Sequence, residues 1–168
     1  MRLSLSVMTL TTAVVLLAGC GASPSDGNAA DPPEGFMSLS QTQDEYNQTV
    51  ADFPYELPAG LTFPEQVQQP TESTVYQKGA GLVQAYQFWE CGWMDQFLTD
   101  QGTDATAADH ALELLQTGTS SVYRTQYVID DDGNWSKTAL GRAKLGDPSV
   151  LAAFYDSDCT WYRTETGK

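Results

Sequence analysis

Histidine is almost absent from this chain: His110 stands alone in 168 residues. One imidazole cannot build an HExxH zinc site, a paired-histidine site or most iron centres. A Ser-His-Asp triad would have to use His110, and no GxSxG turn accompanies it. His110 reads instead as a solvated or edge residue of a helix. Basic residues are also scarce, with 8 Lys and Arg against 22 Asp and Glu and a formal charge of −14. Such a surface repels nucleic acid and anionic headgroups, so nucleic acid is not an expected partner. It suits cationic ligands, metal ions, or simply solubility in a crowded, salty envelope. The chain has no glycine-rich phosphate loop and no CxxC motif. Its longest apolar stretch, Leu3 to Leu17, is too short and too interrupted by Ser and Thr for a permanent membrane span. A hydrophobic content of 41% nevertheless excludes wholesale disorder.

What is present begins with a leader. Arg2 forms a short positive region, Leu3 to Leu17 an apolar one, and two small residues then precede a cysteine: Leu17-Ala18-Gly19-Cys20. This is the pattern of a cleaved export signal, and its last four residues resemble the lipobox of bacterial lipoproteins. In that family the cysteine thiol is diacylglycerated, the chain is cut just before it, and the new terminus is often acylated. The resemblance implies cleavage between Gly19 and Cys20, lipidation of Cys20 with acyl chains such as palmitate, and residence on the outer face of the cytoplasmic membrane. Two or three acyl chains anchor stably where one does not. An ordinary secretory signal with a chance cysteine is the plainer alternative.

Removal of residues 1–19 takes away a single charge, Arg2, and leaves enough chain for one domain with a real core. Residues 20–35 comprise Cys20 and a stretch, Gly21 to Gly35, with no apolar side chain larger than alanine. It reads as a flexible tether of roughly 20 Å. The globular domain is expected over residues 36–168. With Cys20 given to lipid, Cys91 and Cys159 remain as a pair in an oxidising compartment, and a structural disulfide is expected. It would close a loop of 68 residues, worth about 4 kcal/mol in the chain-entropy model.

Within the domain, Thr42 and Glu45 have the spacing of a capping box, with a short helix following to about Asp52. Phe53 to Pro64 (FPYELPAGLTFP) places apolar groups at every odd position and three prolines at even ones. Period two and missing donors together predict an extended, partly polyproline-like strap over a helical core, with a ligand groove as the functional alternative. From about Glu72 to Asp100 the apolar residues Val75, Gly79, Leu82, Tyr86, Trp89, Trp93 and Phe97 recur at helical spacing. Thr71 or Ser73 can cap that helix, and Gly79 and Gly81 can break it. Gly79 on the stripe would let another backbone approach. Asp104 to Gln116 predicts a second helix in antiparallel contact, with Ala108, Ala111, Leu112 and Leu115 inward and Gly118 as its stop. Val122 to Leu140 reads either as helical or irregular chain or as a β-hairpin about Asp132-Gly133. Asp147-Pro148 opens a last helix with Leu151, Phe154 and Tyr155 inward, and Cys159 just beyond it.

Chemistry-bearing patterns are sparse. Asp130-Asp131-Asp132-Gly133-Asn134 fails as an EF-hand, because Val128 and Ala139 fall at the first and last ligand positions. It reads as an acidic surface turn. Glu90 and Asp95 flank the tryptophan pair of the long helix, and paired carboxylates beside aromatic faces suit glycoside hydrolysis. Solvated carboxylates are the plainer reading. Trp135 and Trp161 lie outside any clear stripe and, with Glu90 and Asp95, are the candidate ligand-facing residues. No metal ion or cofactor is called for.

The run LPxGxxFP (Leu57 to Pro64), the aromatic helix with its internal cysteine, GDPS (Gly146 to Ser149) and the late cysteine are similar to uncharacterised exported proteins of high-GC Gram-positive bacteria. The similarity spans roughly two-thirds of the mature chain and implies export but no activity. The expectation is a mainly α, disulfide-stapled domain carrying an extended strap, anchored to the membrane through Cys20. It would act as a binding or envelope-interaction module for a small-molecule or envelope ligand, with a hydrolase of envelope polymers as the alternative.

Overall fold

The computed structural model describes residues 32–68 and 75–168, which belong to one compact unit. The leader, Cys20, most of the tether and the Thr71 or Ser73 cap lie outside the described residues. Among the described residues the order is β1 (Phe36–Met37), α1 (Leu39–Ala51), β2 (Tyr76–Gln77), α2 (Ala80–Asp100), α3 (Ala105–Gly118) and α4 (Val122–Gln126). A π-helical turn follows (Asn134–Leu140), then α5 (Gly141–Lys144), α6 (Ser149–Asp158) and α7 (Thr160–Thr166). The architecture is mainly α, and no helix among these residues is long and apolar enough to cross a membrane.

Helix α2 is the axis. Tyr86, Trp89, Trp93 and Phe97 are buried on one face, as their spacing predicts. Ala85, Phe88, Cys91 and Gly92 are buried on the others, so the helix is central rather than amphipathic. Its start is later than expected. Gly79 adopts φ 96°, ending the β2 segment, and Val75 is half exposed rather than part of the stripe. Gly79 is pressed under the ring of Tyr127, whose Cε1 would lie 2.1 Å from an added Cβ. The close backbone approach occurs at Gly81 instead, where a Cβ would meet the Thr42 carbonyl oxygen at 2.4 Å. Helix α1 crosses α2 at that point.

The capping box also lies elsewhere. Ser38 accepts from the Gln41 amide and the Gln41 side chain accepts from the Ser38 amide, so α1 opens four residues before Thr42. Thr42 is buried, and its hydroxyl donates back to the Ser38 carbonyl (2.9 Å). Glu45 is freed for a different task. Its carboxylate accepts from the amides of Gly79 (3.1 Å) and Gly81 (2.9 Å), supplying the start of α2 with the acceptor that glycine lacks.

Asp104 caps α3 by accepting from the Thr106 and Ala107 amides. Ala108, Ala111 and Leu115 face inward. Gly118 is the last residue of that helix and rests against the Trp89 ring.

The hairpin alternative for Val122 to Leu140 does not occur. Gly133 takes φ 67° and starts the π-helical turn, because Trp135, Ala139, Leu140 and Ala143 recur at helical rather than alternating spacing. The short antiparallel strand pair joins Phe36–Met37 to Tyr76–Gln77. Asp147 accepts from the Ser149 amide at the head of α6. Cys159 does follow α6, but it is a junction and not an end, since α7 continues directly from it. Cys91 and Cys159 form the expected disulfide, with Cα atoms 5.6 Å apart.

Candidate functional site

The strap is laid across α2 by its aromatic side chains. Phe53 lies 4.9 Å from Phe63 and 4.8 Å from Tyr86 between ring centroids, and Tyr55 lies 5.0 Å from Trp89. Polar contacts fix its height. Trp89 Nε1 (2.7 Å) and Trp93 Nε1 (3.0 Å) both donate to the carbonyl of Glu56. Period two fails at its middle, where the Leu61 amide donates to the Pro58 carbonyl (3.0 Å) and Gly60 takes φ 80°. That turn buries Pro58, an even position, and seats Leu61 on Gly92, where an added Cβ would meet its Cδ2 at 2.6 Å.

Beyond the turn, the strap and α7 stand apart on either side of α2. An open cavity of about 540 Å³ lies between them, floored by Phe88, Gly92 and Asp95. Asp95 projects from the side of α2 opposite the tryptophan stripe. Its carboxylate accepts from the hydroxyls of Tyr155 (3.0 Å) and Tyr162 (3.1 Å) and pairs with the Lys168 ammonium. The Asp95 side chain is 15% exposed and that of Lys168 is 51% exposed. Burial first, and then the Asp95 charge, pushes Tyr155 up to about 12 and raises Tyr162 further in the same direction. Both phenols therefore remain protonated donors at neutral pH.

Of the four candidate ligand-facing residues, Asp95 alone lines this cavity. Trp161 is half-buried at the mouth of a second cavity of about 570 Å³ beside Val67 and Gln68, and its Nε1 donates to Glu165 (3.2 Å). Trp135 is 2% exposed and stacks under the Arg124 guanidinium at 4.1 Å, its edge against Phe154. Glu90 is buried and held by Arg124 in a two-pronged pair, Nε to Oε1 at 2.7 Å and Nη2 to Oε2 at 2.5 Å. Burial raises the Glu90 carboxyl above its ordinary range, against the pull of Arg124. Glu90 and Asp95 project about 140° apart around α2, as five residues of helix require. They do not face one space.

His110 is exposed, 3.1 Å from a Glu56 carboxylate oxygen and edge-on to Trp93. In the acidic turn, Asp130 accepts from the Trp135 amide (3.2 Å). Among the described residues no group of three or more His, Cys, Asp or Glu side chains is placed to hold a metal ion.

The residues that sequence reasoning missed are Tyr162 and Lys168, with the outward hydrogen bond of Tyr155. They reach Asp95 from 60 to 73 positions away, and no local pattern announces that meeting. Gly167 was the one readable signal, a helix stop at φ 72°. Comparison with family models, curated proteins and solved structures finds no match to this chain.

Proposed function

We propose that this protein is an exported lipoprotein, held through Cys20 to the outer face of the cytoplasmic membrane, whose domain binds an envelope or small-molecule ligand in the cavity between the strap and α7. The observation that carries the binding role is Asp95. It is a recognition group at an open cavity, oriented by two phenolic donors. The pairing of Glu90 with Asp95 across one glycosidic bond does not form, because Glu90 is committed to Arg124 on another side of α2. The Cys91–Cys159 bond supports export, because such bonds persist in oxidising compartments. The anchor itself rests on the lipobox.

Two measurements test the reading. Metabolic labelling with a fatty acid should mark the wild-type chain and not Cys20→Ser, which keeps the export signal but lacks the thiol nucleophile. Undiminished label in the variant would overturn the anchor. Peptidoglycan fragments should raise the melting temperature of the protein without being consumed. Turnover of a fragment would replace the binding module with a hydrolase.

A further inference from the structure

Lys168 is placed with care for so exposed a residue. Gly167 takes the left-handed conformation at φ 72°, and the Lys168 amide donates to the Arg163 carbonyl (3.0 Å), closing the end of α7 in a Schellman-type turn. The turn directs the side chain back over α7 toward the cavity. There its ammonium meets the Asp95 carboxylate and lies 5.9 Å from the centre of the Tyr162 ring. A carboxylate with an adjoining aromatic face is how proteins receive an organic ammonium ion.

We propose that Asp95 and Tyr162 form a binding site for alkylammonium groups, and that Lys168 is its internal occupant, displaced when an external amine binds. The proposal rests on the binding reading above and names the ligand chemistry of that cavity. Three features favour a cationic ligand. Lys168 is the one cation lining the cavity among the described residues, whereas Asp95, Glu65 and Glu165 all line it. Displacing Lys168 leaves an acidic trough in a protein already at −14. Phe63, Phe88 and Leu61 offer apolar wall to an alkyl chain attached to the amine. The lysine is half in solvent and can swing away from Asp95, while the two tyrosines continue to hold that carboxylate in place.

Two sources supply a primary ammonium on a flexible alkyl chain: a free diamine, and the side chain of a diamino acid within a peptide. Cadaverine and Nα-acetyl-lysine methylamide represent them. Each is titrated calorimetrically into the full chain in detergent, as wild type, Lys168→Ala and Lys168→Ala/Asp95→Asn. An internal ligand occupying its site nine-tenths of the time weakens external binding about ten-fold. Lys168→Ala should therefore bind at least one probe about ten-fold more tightly than wild type, and the double variant should lose that binding. The probe that gains more identifies the source. Lys168→Met, which keeps the alkyl stem, serves the same comparison if the alanine variant does not fold. Equal affinity in wild type and Lys168→Ala, no saturable binding to Lys168→Ala, or undiminished binding after Asp95→Asn would each overturn the proposal. A protein that ignores both amines yet still melts higher with peptidoglycan fragments would fail this inference and keep the proposed function.

Discussion

Gly118 lies flat against the ring of Trp89: a Cβ at that glycine would stand 2.6 Å from Cζ3 and 2.8 Å from Cη2. Trp89 is fully buried between the strap and α3, so its ring has nowhere to retreat. Gly118→Ala should destabilise the protein by about 1–3 kcal/mol through overpacking, despite alanine's better helix propensity. Gly81→Ala should cost more, because its obstacles are the Thr42 carbonyl oxygen and the Tyr46 amide, backbone atoms of a neighbouring helix. Urea unfolding of the two variants reads the order directly. A Gly118→Ala protein as stable as wild type would mean that α3 can move away from α2.

The two indoles of α2 share one acceptor, the carbonyl of Glu56. Trp89→Ala and Trp93→Ala should each cost about 3–5 kcal/mol, since both rings are buried. Replacement by phenylalanine separates packing from hydrogen bonding. Either single change leaves the carbonyl one donor, while the double change leaves it none. The double Phe variant should therefore be less stable than the sum of the singles, with a coupling of about 1 kcal/mol. Strict additivity in denaturant melts would show that the strap carbonyl finds water instead.

What could be read in the sequence was, apart from the cysteine pair, whatever lay within a few residues of itself. The stripe through Tyr86, Trp89, Trp93 and Phe97 follows from helical spacing, and the Cys91–Cys159 pair follows from counting cysteines in a chain expected to be exported. The burial of Phe88 and Cys91 on the far side of α2 does not, because it depends on elements arriving from elsewhere. Thr42 and Glu45 have capping spacing, yet Ser38 wins the cap, leaving Glu45 to bind Gly79 and Gly81 34 and 36 positions on. Helix α7 escaped notice because Thr160–Thr166 carries only two adjacent aromatic residues, Trp161 and Tyr162, amid polar ones and so shows no helical period. The cavity is the extreme case. Asp95 was singled out for its neighbours along α2, but its partners are three side chains from α6, α7 and the turn after α7.

The disulfide joins the middle of α2 to the α6–α7 junction, and α7 forms one wall of the cavity. It spans 68 residues of sequence, so reduction restores much freedom to the unfolded chain. Reduction should lower stability by about 2–4 kcal/mol. It should also loosen α7 more than α3, which is held by its own packing on α2. Hydrogen exchange with and without reductant tests both parts. Equal loss of protection in the two helices would show that the bond acts on the whole domain alone.

The buried pair of Glu90 and Arg124 makes the sharpest electrostatic prediction. The guanidinium satisfies both carboxylate oxygens and covers the Trp135 ring, with the Arg124 side chain 11% exposed and that of Glu90 3% exposed. Arg124→Met keeps much of the packing but strands Glu90, and should cost about 3–5 kcal/mol near neutral pH. Glu90→Gln in the same background should recover part of that loss. The sign of the pH dependence follows from burial, which already raises Glu90 above its ordinary value of 4.5 and will raise it further without Arg124. A carboxyl with a raised folded-state pKa binds more protons folded than unfolded, so its penalty is absent below the unfolded pKa and grows as pH rises through the folded one. The Arg124→Met protein should therefore approach wild-type stability as pH falls from 7 toward 4.5, and the Arg124→Met/Glu90→Gln protein should show much less of this dependence. Thermal melts of the three chains across that range decide it. A deficit in Arg124→Met that stays constant with pH would mean that Arg124 contributes through its stacking on Trp135 and not through the charge of Glu90.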